Sequence, residues 1–313
     1  MAVDNPGPPL HRRGSLPVLG VTLPQFSVEP GAAMAACRDA RRLGFGGAFL
    51  FDHFWPLGAP TRPALECWTL LAALAAGPGR SAGGVGRFRL GTLVTRAGLR
   101  APALVARMAA TVGQVAGATP IVGVGRGDLA NRVENLAFGL PFGDAAERAR
   151  VLEATVAALR GPLAVARPTG TPPEVWVGGT GPGALALAGR LADAWNGWAV
   201  TPEELAAGLA EARVAAERAG RDPAAVAATW GGQVLVAPDR REAGARLAAW
   251  SQDRPAAEVG RVVAGDPEAV LDRLRALGDA GATWCALAPV GGPGAEARAL
   301  LADAAGLPGR EEN

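Results

Sequence analysis

The sequence predicts an α/β fold, a (β/α)8 TIM barrel, on three observations. Eight short β-prone runs alternate with helical patterns along 313 residues, a spacing that suits a closed barrel better than a doubly wound sheet. Several of the runs are continuously apolar, as parallel strands covered on both faces are. Several helical patterns open with proline in their first turn, where its missing N–H costs nothing.

In chain order the predicted strands are Val18–Leu23, Ala48–Phe51, Arg89–Thr95, Pro120–Gly125, Glu174–Gly178, Ala194–Ala199, Thr229–Ala237 and Thr283–Ala288. The predicted helices are Pro30–Leu43, Pro63–Ala76, Ala101–Ala116, Asp144–Leu159, Pro182–Leu191, Pro202–Ala219, Asp239–Trp250 and Pro267–Ala280. Their alanine and leucine content fits helices packed on a sheet. Gly77–Gly86, Arg160–Pro173 and Gln252–Gly265 read as irregular connections. The expected organisation is a disordered leader over residues 1–14, a single barrel domain over 15–306 and a flexible tail over 307–313.

Composition narrows the chemistry. The chain is 49% apolar and 19% charged with a net charge of +2, which gives no electrostatic footprint for nucleic acid or an anionic membrane. No run approaches the roughly 20 apolar residues of a membrane helix, and the polar leader is no signal peptide. Cys37, Cys67 and Cys285 are scattered and odd in number, so they are expected to be reduced and buried in a cytoplasmic protein. The sequence contains no lysine and no tyrosine. Schiff-base chemistry is thereby excluded, as are the nicotinamide carbonyl reductases that use a Tyr/Lys pair. With His11 and His53 the only histidines, no multi-histidine metal centre can form. No Gly-x-Ser-x-Gly elbow or Walker loop is present. What remains is chemistry in which a cofactor brings the reactive atom.

In such a barrel function gathers at the carboxyl ends of the strands. Strand 2 ends there in Phe51-Asp52-His53-Phe54-Trp55 and strand 3 in Gly91-Thr92-Leu93-Val94-Thr95. Strand 4 ends in Gly125-Arg126-Gly127-Asp128, with Asn131 close behind, and strand 5 runs into Gly178–Gly183. Those glycines let the backbone approach a ligand, and the following helix offers unpaired N–H groups, so a phosphate is the expected guest. A strand-to-helix turn without a ligand fits the same residues. His53 reads as an acid or base beside a carboxylate, or as a structural histidine. Asp128 reads as a second acid or base, as a cofactor contact, or as a loop cap. Arg126 either neutralises a phosphate or is solvated. Trp55, Trp198 and Trp230 either stack on a ring and line a substrate pocket or serve packing.

Taken together these segments resemble the luciferase-like monooxygenase family, above all its coenzyme F420-dependent branch. The likeness rests on Asp52-His53-Phe54, Gly91-Thr92, Gly125-Arg126-Gly127-Asp128 and Gly178–Gly183. It continues in Ala192-Asp193-Ala194-Trp195-Asn196, Gly265-Asp266-Pro267 and Ala280-Gly281-Ala282. The resemblance implies a luciferase-like barrel, a homodimer, and a cofactor ring lying in the barrel mouth. It implies Asp52, His53 and Asp128 as catalytic groups. Cofactor contacts are implied at Asp52, Thr92, Leu93, Thr95, Arg126 and Asn131, and the cofactor phosphate at Gly179, Thr180, Gly181 and Gly183. It also implies a cis peptide between Thr92 and Leu93. Where some deazaflavin dehydrogenases carry tryptophan five residues after the aspartate, this chain has Leu57. The Leu159–Glu174 connection has no room for the insertion that walls the pocket in many relatives.

The implied activity is hydride transfer between coenzyme F420 and a small organic substrate. An FMN-dependent monooxygenase, fed by a separate reductase, uses the same barrel and phosphate turn. A barrel that binds a flavin without catalysis is the third reading.

Overall fold

Burial on both faces explains why the strands are apolar runs with few charges. The computed structural model describes residues 14–77, 88–165 and 172–309. Most of the expected leader, most of the Gly77–Gly86 loop and the last residues of the expected tail lie outside them. The described chain falls into two compact units, one built mainly of residues 20–178 and the other mainly of 179–306.

In the first unit the order is β1 (Val18–Thr22), α1 (Pro30–Arg42), β2 (Gly47–Leu50), α2 (Cys67–Ala76) and β3 (Arg89–Arg96). It continues with α3 (Pro102–Ala116), β4 (Ile121–Gly125), α4 (Asn131–Ala137), α5 (Ala145–Arg160) and β5 (Glu174–Gly178). Consecutive strands pair in parallel from β1 to β5, and β2 and β4 are buried along their whole length. Phe49 and Trp176, both fully buried, meet with ring centroids 5.4 Å apart.

In the second unit α6 (Pro182–Leu191) leads to β6 (Ala194–Trp198), α7 (Pro202–Arg218), β7 (Ala227–Val236), α8 (Arg240–Ser251) and the short α9 (Ala256–Val259). There follow β8 (Val263–Gly265), α10 (Pro267–Asp279), β9 (Ala282–Pro289) and α11 (Gly294–Ala304). The long β7 is the hub of this unit and pairs in parallel with β6, β8 and β9.

All eight predicted strands and all eight predicted helices are present with ends shifted by a few residues. The fold class is the (β/α)8 barrel. Three details differ from the sequence reading. α2 starts at Cys67 rather than Pro63, because the Glu66 carboxylate caps it by accepting from the N–H groups of Trp68 (3.1 Å) and Thr69 (2.7 Å). β8 occupies the end of a segment read as irregular, and α4, α9 and α11 were not predicted. The non-proline cis peptide is Leu93–Val94, one residue later than expected.

β3 carries one extra residue there. Thr92 is opposite Val122 and Thr95 opposite Val124, so two residues of β3 face one of β4. The Val94 side chain turns towards β4 and β5, and glycines make room for it. A β-carbon built at Gly123 or Gly178 would lie 3.0 Å from Val94 Cγ1, and one at Gly125 would lie 2.7 Å from Cγ2. The glycines at strand ends 4 and 5 therefore have a packing reason of their own. Gly125→Ala is expected to lower stability by about 1–3 kcal/mol through overpacking. Adding Val94→Ala should recover part of that loss in urea unfolding, whereas strictly additive losses would show that the two positions do not press on each other.

Candidate functional site

The exit of β2 is fixed before any functional group appears. Gln25, fully buried, uses its side-chain amide as a strand would: Nε2 donates to Phe51 O and Oε1 accepts from Phe51 N, both at 2.6 Å. The backbone is thus held just ahead of Asp52 and His53.

Asp52 is only 1% exposed, and its carboxylate is met by donors from β3 and the turn after it. Oδ2 accepts from Thr95 Oγ1 (2.6 Å), Arg96 N (3.2 Å) and Arg100 Nη1 (2.6 Å), and Oδ1 accepts from Arg100 Nη2 (3.1 Å). The bidentate Arg100 also reaches Glu66 Oε1 at 2.5 Å. Burial works against the Arg100 charge, but Asp52 and Glu66 outweigh it and raise its pKa above the ordinary guanidinium value. Thr95 Oγ1 in turn accepts from Trp68 Nε1 at 3.0 Å.

His53 faces a different carboxylate. Its Nδ1 lies 3.1 Å from Oε2 of Glu134 on α4. Glu134 is itself 1% exposed. Its Oε1 accepts from Phe54 N, and Arg96 Nη2 stands 3.0 Å from Oε2. The Arg96 contact is ionic rather than a well-aligned hydrogen bond, since that nitrogen lacks a partner by angle. Burial would raise the Glu134 pKa, yet the His53 and Phe54 hydrogen bonds and the Arg96 charge together bring it below the usual carboxylate value. Arg96 also donates through Nε to Asp52 O and through Nη1 to Asn135 Oδ1, each at 2.9 Å. One guanidinium thereby joins both acidic centres. Beyond His53, Phe54 packs on Phe138 with centroids 4.2 Å apart, and Trp55 lies 5.7 Å from the same ring.

α4 runs against the usual rule for surface helices. Asn131, Glu134 and Asn135 point inward, while Val133 and Leu136 are 67% and 57% exposed. A search for apolar faces passes over such a helix. The signal that was there is the i, i+3, i+4 spacing of Asn131, Glu134 and Asn135, which puts the polar groups on one face.

The predicted residues divide as follows. Asp52 and His53 are adjacent in the chain, but the acid that touches His53 is Glu134. Asp128 is exposed and caps its own turn, its Oδ1 accepting from Ala130 N at 2.9 Å while Asn131 Oδ1 holds the Asp128 N–H at 2.9 Å. Thr92, Leu93 and Thr95 are buried; Thr92 Oγ1 donates to Gly123 O at 2.8 Å. Trp230 is buried too, its indole N–H donated to Val200 O at 3.0 Å, so it belongs to the core and not to a pocket wall. Trp198 is 40% exposed.

Arg126 is exposed and borders a cavity of about 350 Å³ that Arg96, Arg100, Asn131 and Arg148 also line. Arg148 lies over the Phe142 ring at 4.4 Å and donates from Nη1 to Gly143 O, while its buried Nε has no hydrogen-bond partner. Such a lining is chemically suited to an anionic group.

In the second unit the Gly179–Gly183 turn is largely exposed. Gly179 sits at φ +124°, and its carbonyl accepts from Trp195 Nε1 at 2.7 Å. α6 begins without a side-chain cap, and a β-carbon at Gly181 or Gly183 would meet nothing within 4 Å. Free N–H groups at an open helix start are a fitting anion cradle. Among the described residues no group of three or more His, Cys, Asp or Glu side chains is placed to hold a metal ion, and no helix is long and apolar enough to cross a membrane.

Residues 16–284 match the family model described as luciferase-like monooxygenase. A curated relative, the phthiodiolone/phenolphthiodiolone dimycocerosates ketoreductase of Mycobacterium sp. (strain JLS), is 34% identical over 181 residues, covering 52% of this chain and 46% of its own. The chain thus spans about half the length of the curated relatives it matches. Among solved structures, an F420-dependent secondary alcohol dehydrogenase in complex with an F420-acetone adduct superposes with a TM-score of 0.74 at 19% identity, covering 92% of this chain and 98% of the other. EDTA monooxygenase from Chelativorans sp. BNC1 gives a TM-score of 0.74 at 16% identity over 93% of both chains.

Removing Arg100 leaves two carboxylates facing each other without their shared cation. Arg100→Leu is expected to cost about 3–5 kcal/mol in urea unfolding, with part regained when Asp52→Asn is added; an additive double variant would contradict the pairing. Glu134 has a folded-state pKa below its unfolded value. Its contribution to stability is therefore present above the ordinary carboxylate range of about 4.3 and lost as pH falls through the folded value. Between about pH 5 and pH 3 the unfolding midpoint of the parent should drop more steeply than that of Glu134→Gln; parallel curves would contradict this.

Proposed function

The chain belongs to the luciferase-like monooxygenase family, and we propose that it is an oxidoreductase that exchanges a hydride between coenzyme F420 and a carbonyl/secondary alcohol pair, with His53 handling the proton. The observation that carries this reading is the His53–Glu134 contact at the carboxyl end of β2, flanked by Phe54 and Trp55. The 34%-identical relative named as a ketoreductase supports the carbonyl substrate. The fold shared with an F420-dependent secondary alcohol dehydrogenase is compatible with that cofactor.

The residues present fit a phosphate-bearing cofactor in this fold. The uncapped start of α6, with Thr180, Gly181 and Gly183, is a donor set of the right chemistry for its phosphate. When bound, the reduced cofactor supplies the hydride. The protein's own residues then have one further task. A carbonyl that gains a hydride at carbon must gain a proton at oxygen to become an alcohol, and the reverse reaction must remove it. His53, 23% exposed at the side chain, is the group placed for this. An imidazole can both give and take a proton, and the chain has neither lysine nor tyrosine to share that task. Phe54, Trp55 and Phe138 give its surroundings an apolar character that suits a carbonyl compound with hydrocarbon substituents.

His53→Ala is expected to retain cofactor binding and to lose turnover by roughly 10²–10⁴-fold. The assay is stopped-flow oxidation of reduced F420 with a series of ketones, with reduced FMN and oxygen run in parallel. Unchanged turnover in the variant removes His53 from the mechanism. Activity with reduced FMN and oxygen alone assigns the protein to the monooxygenases of the family. Gly181→Val should weaken cofactor binding with little change in unfolding, since the space beside Gly181 is open; binding as tight as the parent's would make the turn purely structural.

A further inference from the structure

We propose that Glu134 is a positioning residue: its buried carboxylate holds the His53 imidazole with a proton on Nδ1 and leaves Nε2 as the atom that meets the substrate. The task given to Nε2 rests on the function proposed above; the hold on the ring does not.

An ionised carboxylate only accepts hydrogen bonds. Glu134 is surrounded by donors and a cation: Phe54 N on Oε1, and Arg96 Nη2 at 3.0 Å from the Oε2 that faces His53. Arg96 is itself fixed by Asp52 O and Asn135 Oδ1, so the positive charge beside Glu134 is held in place and favours the ionised acid. The nitrogen 3.1 Å from Oε2 must then be the donor, which puts the proton of the neutral ring on Nδ1. The same carboxylate grips the chain at the next residue through Phe54 N. Ring and backbone are thus held at two points by one group, which fixes the direction of the ring as well as its proton.

The helix that carries Glu134 supports the reading. α4 turns Asn131, Glu134 and Asn135 inward at the expense of exposing Val133 and Leu136, a cost in apolar exposure that a helix serving packing alone would avoid. Asn135 ties Arg96 to Pro141 O, with 2.9 Å on each side. Asn131 ties the helix start to the Asp128 turn. Both neighbours on that face therefore steady the frame in which Glu134 meets His53.

The test uses ¹⁵N-labelled histidine in the full chain, where only His11 and His53 give signals and His53→Ala identifies which is which. With the ring neutral, the parent should show His53 as a single tautomer, protonated on Nδ1 and bare on Nε2. In Glu134→Gln that bias should be lost, because one amide oxygen must serve several donors and the amide NH2 accepts from none. Turnover should fall about 10- to 100-fold, the scale seen when a histidine that binds a metal loses its orienting carboxylate, with the fall in kcat and little change in KM. A parent ring protonated on Nε2, or an unchanged tautomer in Glu134→Gln, overturns the inference even if His53 proves essential. The parent spectrum needs no variant, so it decides the matter if Glu134→Gln does not fold. A changed tautomer with turnover unaffected in both Glu134→Gln and His53→Ala upholds the hold on the ring and overturns the proposed function instead.

Discussion

Arg96 and Arg100, with the buried acids Asp52 after β2 and Glu134 on α4, carry the constraint on which the rest of the site depends. Arg100 clamps Asp52 with two hydrogen bonds, and Arg96 bridges the Asp52 backbone to Glu134. Taking one charge out of such a set is far more damaging than the net worth of the set, because its partner is left buried and unpaired. Lysine, with a single ammonium, could not span two acidic centres and an asparagine at once as the planar Arg96 fork does. The carboxylate of Asp52, which the family resemblance implies as a catalytic and cofactor-contacting group, is engaged by Thr95, Arg96 and Arg100. Its adjacency to His53 in the chain places the histidine at the edge of a rigid charged platform.

The platform needs the β3 strand end to be held, and that is done by packing. The extra residue in β3 sends Val94 towards three glycines of β4 and β5. Thr92 hydrogen-bonds across to Gly123 O and Thr95 to Asp52, so the residues on either side of the bulge are tied to neighbouring strands. Glycines that look like ligand-binding signals can have this second use. At Gly123 and Gly125 the packing reason is sufficient by itself. At Gly181 and Gly183 an added β-carbon would meet open space, so no such packing reason applies.

The fold was legible because its strands are buried on both faces and its helices begin with proline, as at Pro30, Pro102, Pro182, Pro202 and Pro267. Both signals are local. β8, three residues long, is too short to show a pattern. α4 was illegible for a physical reason: its buried face is polar, and a polar face is stable inside only because distant residues pair with it. Glu134 and His53 are 81 positions apart, and nothing in the neighbourhood of either announces the other. Asp128 has the more familiar setting, a glycine turn after a strand, and its hydrogen bonds, accepted from Ala130 N and donated to Asn131 Oδ1, fit the loop-cap alternative. For Trp230, of the two readings its residue type allows, packing is the one that its buried indole and its hydrogen bond to Val200 O fit.

If this arrangement serves hydride transfer, the place of His53 relative to a bound substrate decides it. The most direct measurement is a crystal structure of the protein with F420 and an unreactive ketone analogue. The account predicts His53 Nε2 within hydrogen-bonding reach, about 2.6–3.2 Å, of the analogue's oxygen, with Nδ1 still on Glu134. An analogue oxygen bound to another group, or a His53 ring turned so that Glu134 has lost Nδ1, would contradict it.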